Sequence, residues 1–498
     1  MQGGLRGSAG RGAGSRSYAL IARRSSGVAA AVVGASVLYV AVLSWATISR
    51  HHALGSGGYD LGIFDQAAWL MGHGMEPFST IRGRNLLADH FQPALYLLAP
   101  FGAFGATPDG ILILQATLLG LASPVLFRFA RLQGATRPLA LAVALLWLAS
   151  PVTQWANLFD FHPETAVPLL LVAGAIFMQR GRLLPFAATA VLACSTKEDV
   201  CLVYVMWGLL LLAHRRRRIG AAMVGAGIAW FVLATQVAIP ALGGNLDYYS
   251  ARFGGERGSS LGAVFAFLVE HPAQSLGELA AKSNVEILVA LVVCSGGLAL
   301  LAPRFLALAI PGLAANFLSA YSYQHDLHFH YQLVPAAAFA LASACGAGVA
   351  ARRLSGRARR GVALVLFIGI AGAVAFSPAV RELRKERPAG LLAAKRHALS
   401  LVPAGVPVAA APDLVPHLSH RRDIYQLPEP FFSRPGNGEY WSDAELERRS
   451  RAVRFVVIDL DSLDPWPRTQ TSRLPPMLRR RGFVQIYRDG DVRVFRRV

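Results

Sequence analysis

Two acidic stretches interrupt a chain that is otherwise largely apolar: Tyr59-Asp60-Leu61-Gly62-Ile63-Phe64-Asp65-Gln66 and, farther on, Asp89-His90. Phe159-Asp160-Phe161-His162-Pro163-Glu164, Lys197-Glu198-Asp199 and His325-Asp326-Leu327-His328-Phe329-His330 follow. Ionisable groups beside a lipid boundary are costly to keep, which makes each a functional hypothesis. As a set they suit group transfer: a carboxylate removes a proton from an acceptor hydroxyl, and cations stabilise a leaving phosphate. Each acid also has a plainer reading as a loop residue that caps a helix or pairs with a neighbour. For Asp160, just ahead of Pro163, that reading is an N-cap.

The histidine cluster invites a metal. A helix would bring His325 and His328 to one face and an extended segment would bring His328 and His330, so no single regular geometry collects all three. Hydrogen bonding to a phosphate or substrate, and a solvated loop, are the other readings. Arg252, Arg257 and Lys282 could contact an anionic lipid head or be ordinary surface charge. The four cysteines, Cys194, Cys201, Cys294 and Cys345, sit in apolar segments without ligand spacing and read as small buried hydrophobes.

What must position these groups is a membrane domain. Of 498 residues 54% are hydrophobic and 16% charged, and the mean hydropathy is +0.42, too apolar for a soluble protein. The net charge of +20 falls mostly in short connections between apolar runs, so it reports topology rather than nucleic acid. Residues 1–26 read as a disordered basic cytoplasmic tail. Residues 27–47 are long enough to cross about 30 Å of hydrocarbon and read as a retained first span. The patch 90–104, short and broken by Pro93 and Pro100, reads as interfacial or re-entrant. Further spans near 109–130, 138–157, 164–180, 183–196, 200–214, 219–240, 285–302, 305–321, 331–351 and 361–378 bring the total to about eleven. This parity places Arg131, Arg137, Arg180, Arg182, Arg215 to Arg218, Arg304 and the arginines at 352–360 inside, and every acidic and histidine motif outside.

After Ser377-Pro378 the composition changes. Residues 379–398 read as a charged helix, and Val406 to Ala410 and Phe455 to Leu460 as short buried strands. The alternation on both sides of Asp489-Gly490 reads as a hairpin. Residues 379–498 are therefore expected to form a small α/β extracytoplasmic domain behind a mainly α, polytopic domain at 27–378. No glycine-rich phosphate loop accompanies Val456-Val457-Ile458-Asp459-Leu460-Asp461, which reads as a core strand.

The four ordered motifs at 59–66, 89–93, 159–164 and 197–199 resemble those of the bacterial membrane-protein family known as domain of unknown function 2079 (DUF2079), over roughly residues 30 to 380. More distantly the chain is similar to the GT-C class of membrane glycosyltransferases, which use polyprenyl-phosphate sugars. In that class an acidic residue in the first external loop is the catalytic element. A glycine or small-residue turn follows it, then a His/Lys-x-Pro-Pro-like motif leading an apolar helix. Asp60 occupies the loop position, Gly72-His73-Gly74 the turn, and His90-Phe91-Gln92-Pro93-Ala94-Leu95-Tyr96 the helix start, with a single proline where the class has a pair.

The resemblance implies an inverting glycosyltransferase in the cytoplasmic membrane. It would move a sugar from a polyprenyl-phosphate-linked donor to an extracytoplasmic glycan, lipid or protein acceptor, with no nucleic acid involved. Asp60 is the expected general base and Asp89 the second choice. His90, Asp160, His162, Glu164, Lys197, Glu198, His325, His328 and His330 are the expected substrate and phosphate contacts. A divalent metal ion is left open, with Asp60, Asp89 and His90 as its ligands. Two other classes fit the same residues: a lipid or solute transporter or flippase, which should show repeat symmetry and discontinuous spans, and a non-catalytic membrane assembly protein that binds through its external domain.

Overall fold

The computed structural model describes residues 11–244, 252–253, 261–386, 388–432, 442–460, 462–463 and 471–498. Arg257 and Asp461 lie outside the described residues. Among the described residues, six helices are long and apolar enough to cross a membrane: Gly27–His52, Asp109–Leu132, Arg137–Leu158, Arg217–Ala241, His330–Arg353 and Gly356–Leu383.

The expected count of about eleven spans is not met by helices of that length. Pro163–Gln179 and Leu183–Cys194 are shorter, and Cys201–Ala213 has only 13 residues. Where two spans were expected over 285–321, the helix Lys282–Cys294 stops at Gly296 and Gly297, both at positive φ. The chain then continues as 3-10 turns and the short helix Ile310–Phe317. Glycines and prolines divide these apolar runs into shorter helical pieces. The patch at 93–103 is a 3-10 turn and a short helix laid against Ile63–Gly72, with Gly102 on the Ala68 backbone.

The first helix runs Arg11–His52. The basic stretch expected as an unstructured tail is thus helical from residue 11.

The bundle closes around His330–Arg353, with 83% of its apolar window buried. Its alanines and glycines permit close approach: a Cβ at Gly346 would meet the Leu298 carbonyl, and one at Gly348 the Gln133 carbonyl. Trp147 Nε1 donates to Leu119 O at 2.8 Å and Ser123 Oγ to Ala144 O at 3.0 Å, which satisfies polar atoms inside the bundle. Followed through these helices, the arginine-bearing turns at 131–137 and 352–360 meet at one end, where Arg352 Nη1 donates to Gln133 O at 2.9 Å. Asp60, His162 and His330 gather at the other end.

That other end carries a second core. A minor ribbon, β1 (Phe78–Ser79) with β2 (Arg84–Asn85), lies in the loop after the first helix. A five-stranded sheet is built from β3 (Val408–Ala410), β4 (Ile424–Gln426), β5 (Phe455–Asp459), β6 (Phe483–Asp489) and β7 (Val492–Arg497), in the order β4-β3-β5-β7-β6. The first three strands are parallel, and β7 pairs antiparallel with both β5 and β6. The hairpin turns at Gly490 with φ +55°, where only glycine is unstrained. The helix expected at 379–398 is split into Pro378–Leu383 and Ala389–Ser400. The sheet does not bury its apolar faces alone. Leu61, Phe64, Ile81 and Leu95 share one continuous core with Val408, Val415, Ile424 and Val457.

Candidate active site

The acids of the first loop are set by the local chain. Asp60 sits in the middle of Gly58–Gly62, a single wide helical turn that leads into Ile63–Gly72. Asp89 ends the short helix Leu86–Asp89, capped by Asn85, whose Oδ1 accepts from Leu87 N at 3.0 Å. Both acids line a cavity of about 320 Å³ at the sheet-bearing end of the bundle. Arg82, His90, His162, Glu164, Lys197, Arg252 and His330 line it too, with Tyr59, Phe159, Tyr321, Tyr323 and Tyr331. Six of the residues expected from the motifs therefore share one wall with Asp60.

Their roles differ. Arg82 holds both oxygens of Asp89, with Nε to Oδ2 at 3.1 Å and Nη2 to Oδ1 at 2.7 Å, and both side chains are buried. Burial alone would raise this carboxyl, but Arg82, His90 and Arg84 outweigh it and hold Asp89 at about 2. An acid so placed is a poor base. Asp60 has no comparable fork. His162 Nε2 lies 3.7 Å from its Oδ1, and 30% of its side chain is accessible. Burial of the turn, with the Asp160 carboxylate nearby, pushes Asp60 up to about 7 against the pull of Arg50 and Arg82.

Asp160 is not an N-cap. It stands at φ +97° and turns back to accept from Arg50 Nη1 at 2.6 Å and from the Gly57 N–H at 2.9 Å. Arg50 also donates to Leu158 O at 2.9 Å. Gln115 holds the same turn from the other side, donating to Asp160 O at 2.8 Å and accepting from the His162 N–H at 3.0 Å. Asp160 therefore positions the loops and does not line the cavity, contrary to its expected place among the substrate contacts.

Glu198 is likewise a positioning group. It lies 3.0 Å from His90 Nδ1 and accepts from the Phe91 N–H at 3.0 Å. Burial lowers His90, and Glu198 more than compensates, so the imidazole is raised and favours its charged form. Lys197 Nζ is 3.3 Å from Glu164 Oε1 and 3.8 Å from Asp199 Oδ2. Burial opposes its charge, Asp199 and Glu164 restore it, and the net shift is upward.

The histidine cluster divides. His330 lines the cavity and stacks on His162, with ring centroids 3.5 Å apart and planes at 19°. Burial pushes His162 down to about 4, so it is neutral near pH 7. His325 faces away, with Nδ1 2.7 Å from Asn284 Oδ1 and Nε2 2.7 Å from Ser319 O. His328 is exposed, 2.6 Å from Asp326 Oδ1, with its ring on Trp155. Neither contributes to the cavity as expected: His325 to His328 line a different surface, and of this motif only Phe329 and His330 face the cavity. The proposed metal set does not converge either. Asp89 is engaged by Arg82, His90 by Glu198, and among the described residues no three His, Cys, Asp or Glu side chains are placed to hold one ion. The donor set does not fit a metal.

Arg82 is a cavity cation that the sequence reading did not name, whereas Arg252 was named there as a contact for an anionic lipid head or as surface charge. Arg252 is buried, donates from Nε to Gln324 Oε1 at 3.0 Å, and among the described residues has no carboxylate within ion-pair distance. Arg82 has a signal in hindsight, a basic residue one ribbon turn before Asp89. For Arg252 the sequence left surface charge open, and its burial depends on the distant segment 319–324.

A family model described as predicted membrane protein (DUF2079) matches residues 50–476. The chain belongs to the DUF2079 family. No curated protein matches it. Among solved structures, this DUF2079 chain is similar to the crystal structure of ArnT from Cupriavidus metallidurans bound to undecaprenyl phosphate. The TM-score is 0.51 at 16% identity, over 93% of this chain and 98% of that one. The apo state of the same protein gives 0.49 at 15% identity, over 94% and 98%. The first likeness shows that the DUF2079 chain has an ArnT-like fold.

Proposed function

We propose that the protein is an inverting membrane glycosyltransferase that moves a sugar from a polyprenyl-phosphate donor to an extracytoplasmic acceptor. The observation that carries this reading is Asp60, an acid held near neutrality on a cavity that also presents Lys197 and Arg252. Its carboxylate takes the proton of the acceptor hydroxyl, whose oxygen bonds to the anomeric carbon. The bond from that carbon to the phosphate oxygen breaks, and the electron pair leaves with the polyprenyl phosphate. Lys197 and Arg252, with His90 raised toward its charged form by Glu198, balance the leaving dianion. Attack from the side opposite the phosphate inverts the anomeric centre.

A second feature supports a lipid-linked donor. A smaller cavity shares Glu164, Lys197, Arg252, His330 and Tyr331 with the first and continues along Val203, Pro311, Ala315, Val334 and Pro335. Charge at one end and apolar surface along the rest is what a prenyl phosphate presents. The ArnT structure holds undecaprenyl phosphate, and the same class of ligand is proposed here.

By the positive-inside rule, the arginine-bearing turns at 131–137 and 352–360 face the cytoplasm of a bacterial inner membrane, as does the N-terminus. The cavity and the domain at 379–498 then face outward, behind a membrane domain at 27–378. The test is transfer itself. Membranes containing the protein are incubated with a set of labelled polyprenyl-phosphate sugars, and donor-dependent label appears in an acceptor for the wild type but not for Asp60→Asn.

A further inference from the structure

Among the described residues, none that lines the polar cavity comes from 379–498, yet the turn that carries Asp60 leans on that part of the chain. A Cβ at Gly58 would run into Gln426 Oε1 and stand 3.0 Å from Val415 Cγ1. One at Gly62 would also stand 3.0 Å from Val415 Cγ1. The glycines at both ends of the turn thus allow backbone and external domain to touch.

Just beyond the turn the contact becomes polar and buried. Asp65, fully buried, accepts from Ser419 Oγ and lies 3.1 Å from His420 Nε2. Gln66 Nε2 donates to Arg422 O at 3.1 Å. Thr80 Oγ1 donates to Ile424 O at 2.6 Å and accepts from Ile424 N at 2.9 Å. Buried polar groups that satisfy one another across an interface fix a single register, because a slip leaves each of them desolvated and unpaired. The bundle has its own separate apolar core, so its fold does not depend on this register, whereas the height and direction of the Asp60 turn do.

We propose that the segment Val415–Gln426 is a positioning element for Asp60, through which the external domain sets the geometry of the reacting carboxylate without touching substrate. The inference rests on Asp60 being the base. It makes Val415, Ser419 and Gln426 positioning residues and gives the domain a part in the reaction.

The test uses the full-length protein and two readouts. One is the pH dependence of carbodiimide modification of the Asp60 carboxyl, followed by mass spectrometry, which needs no turnover. The other is kcat and KM for the labelled donor. Gly58→Ala is expected to move the modification midpoint by about one pH unit and to lower kcat about tenfold or more with little change in KM. Adding Gln426→Ser removes the obstructing atom and should return both readouts toward wild type, a non-additive result that general damage does not produce. An additive double variant, or a Gly58→Ala protein with an unshifted midpoint, overturns the proposal. If Gly58→Ala does not accumulate, Val415→Ala withdraws side-chain bulk without adding any, and an unchanged midpoint there overturns it equally. A wild type without transfer activity removes the enzyme reading alone, since the modification readout still decides whether the domain positions Asp60.

Discussion

Arg82 binds Asp89 through two hydrogen bonds of 3.1 and 2.7 Å, and the pair is almost fully buried. One acid of the first loop is thereby a permanent counter-ion, while Asp60, on the same cavity, is left to exchange a proton. Both line the cavity, and the difference between them is the guanidinium.

Asp60→Asn should therefore abolish transfer while leaving protein level and thermal stability near wild type. A loss of about 10²–10⁴ in kcat/KM is expected for removal of a general base. Asp60→Glu should retain part of the rate. The labelled-donor assay in membranes checks both, and full activity in Asp60→Asn would sink the assignment.

The pH dependence has a definite sign. Burial raises the Asp60 carboxyl to about 7, so the base form is scarce below that pH and activity should climb toward a plateau above it. Stability runs the other way. The fold favours the protonated group, so its stabilising contribution is complete below the ordinary carboxylate value and is lost as pH rises through about 7. A rate profile in reconstituted vesicles with its acid limb near 4 would contradict this.

Asp89→Asn should act on stability before chemistry. Removing one member of a buried ion pair strands the other, at a cost of about 3–5 kcal/mol, read as a lower unfolding temperature in detergent. The paired change Arg82→Met with Asp89→Leu should be much milder than either single change. Equal damage in all three would mean that the pair does more than balance its own charges.

Arg252→Ala should raise KM for the polyprenyl-phosphate donor by about tenfold or more, consistent with loss of a charge-assisted contact worth about 1.5–3 kcal/mol. KM for the acceptor should stay close to wild type. The same assay with donor and acceptor varied in turn separates the two, and an effect confined to the acceptor would reassign Arg252.

Orientation is checked by single cysteines. A membrane-impermeant maleimide should label Arg496→Cys in intact cells and leave Arg216→Cys unlabelled until the membrane is opened. The reverse pattern would put the cavity on the wrong side for an external acceptor.

Sequence reasoning worked where a signal is local. The polar motifs in an apolar chain pointed to Asp60, His90, His162 and Lys197, which line one cavity, and Asp489-Gly490 marked its hairpin. It stopped where partners are distant. His90 and Glu198 are 108 positions apart, Arg50 and Asp160 are 110 apart, and nothing near Arg252 announces Gln324. His325 and His328 looked equivalent to His330 because a spacing does not say where a loop turns. The span boundaries were less legible for another reason: apolar length was visible, but breaks such as Gly296 and Gly297 divide one apolar run into shorter pieces. Nor did composition hint that the loop after the first helix and the sheet at 408–497 share one core.

Arg50 lies in the last turn of the first long helix and reaches across to Leu158 O and Asp160, whose other oxygen holds Gly57. The first helix is thus linked mechanically to the residues just ahead of Asp60. A helix answers a change in bilayer thickness by tilting, and a tilt here pulls on that linkage. Acyl-chain length in the surrounding lipid is accordingly a variable of the turn that carries Asp60 as well as of the protein's insertion.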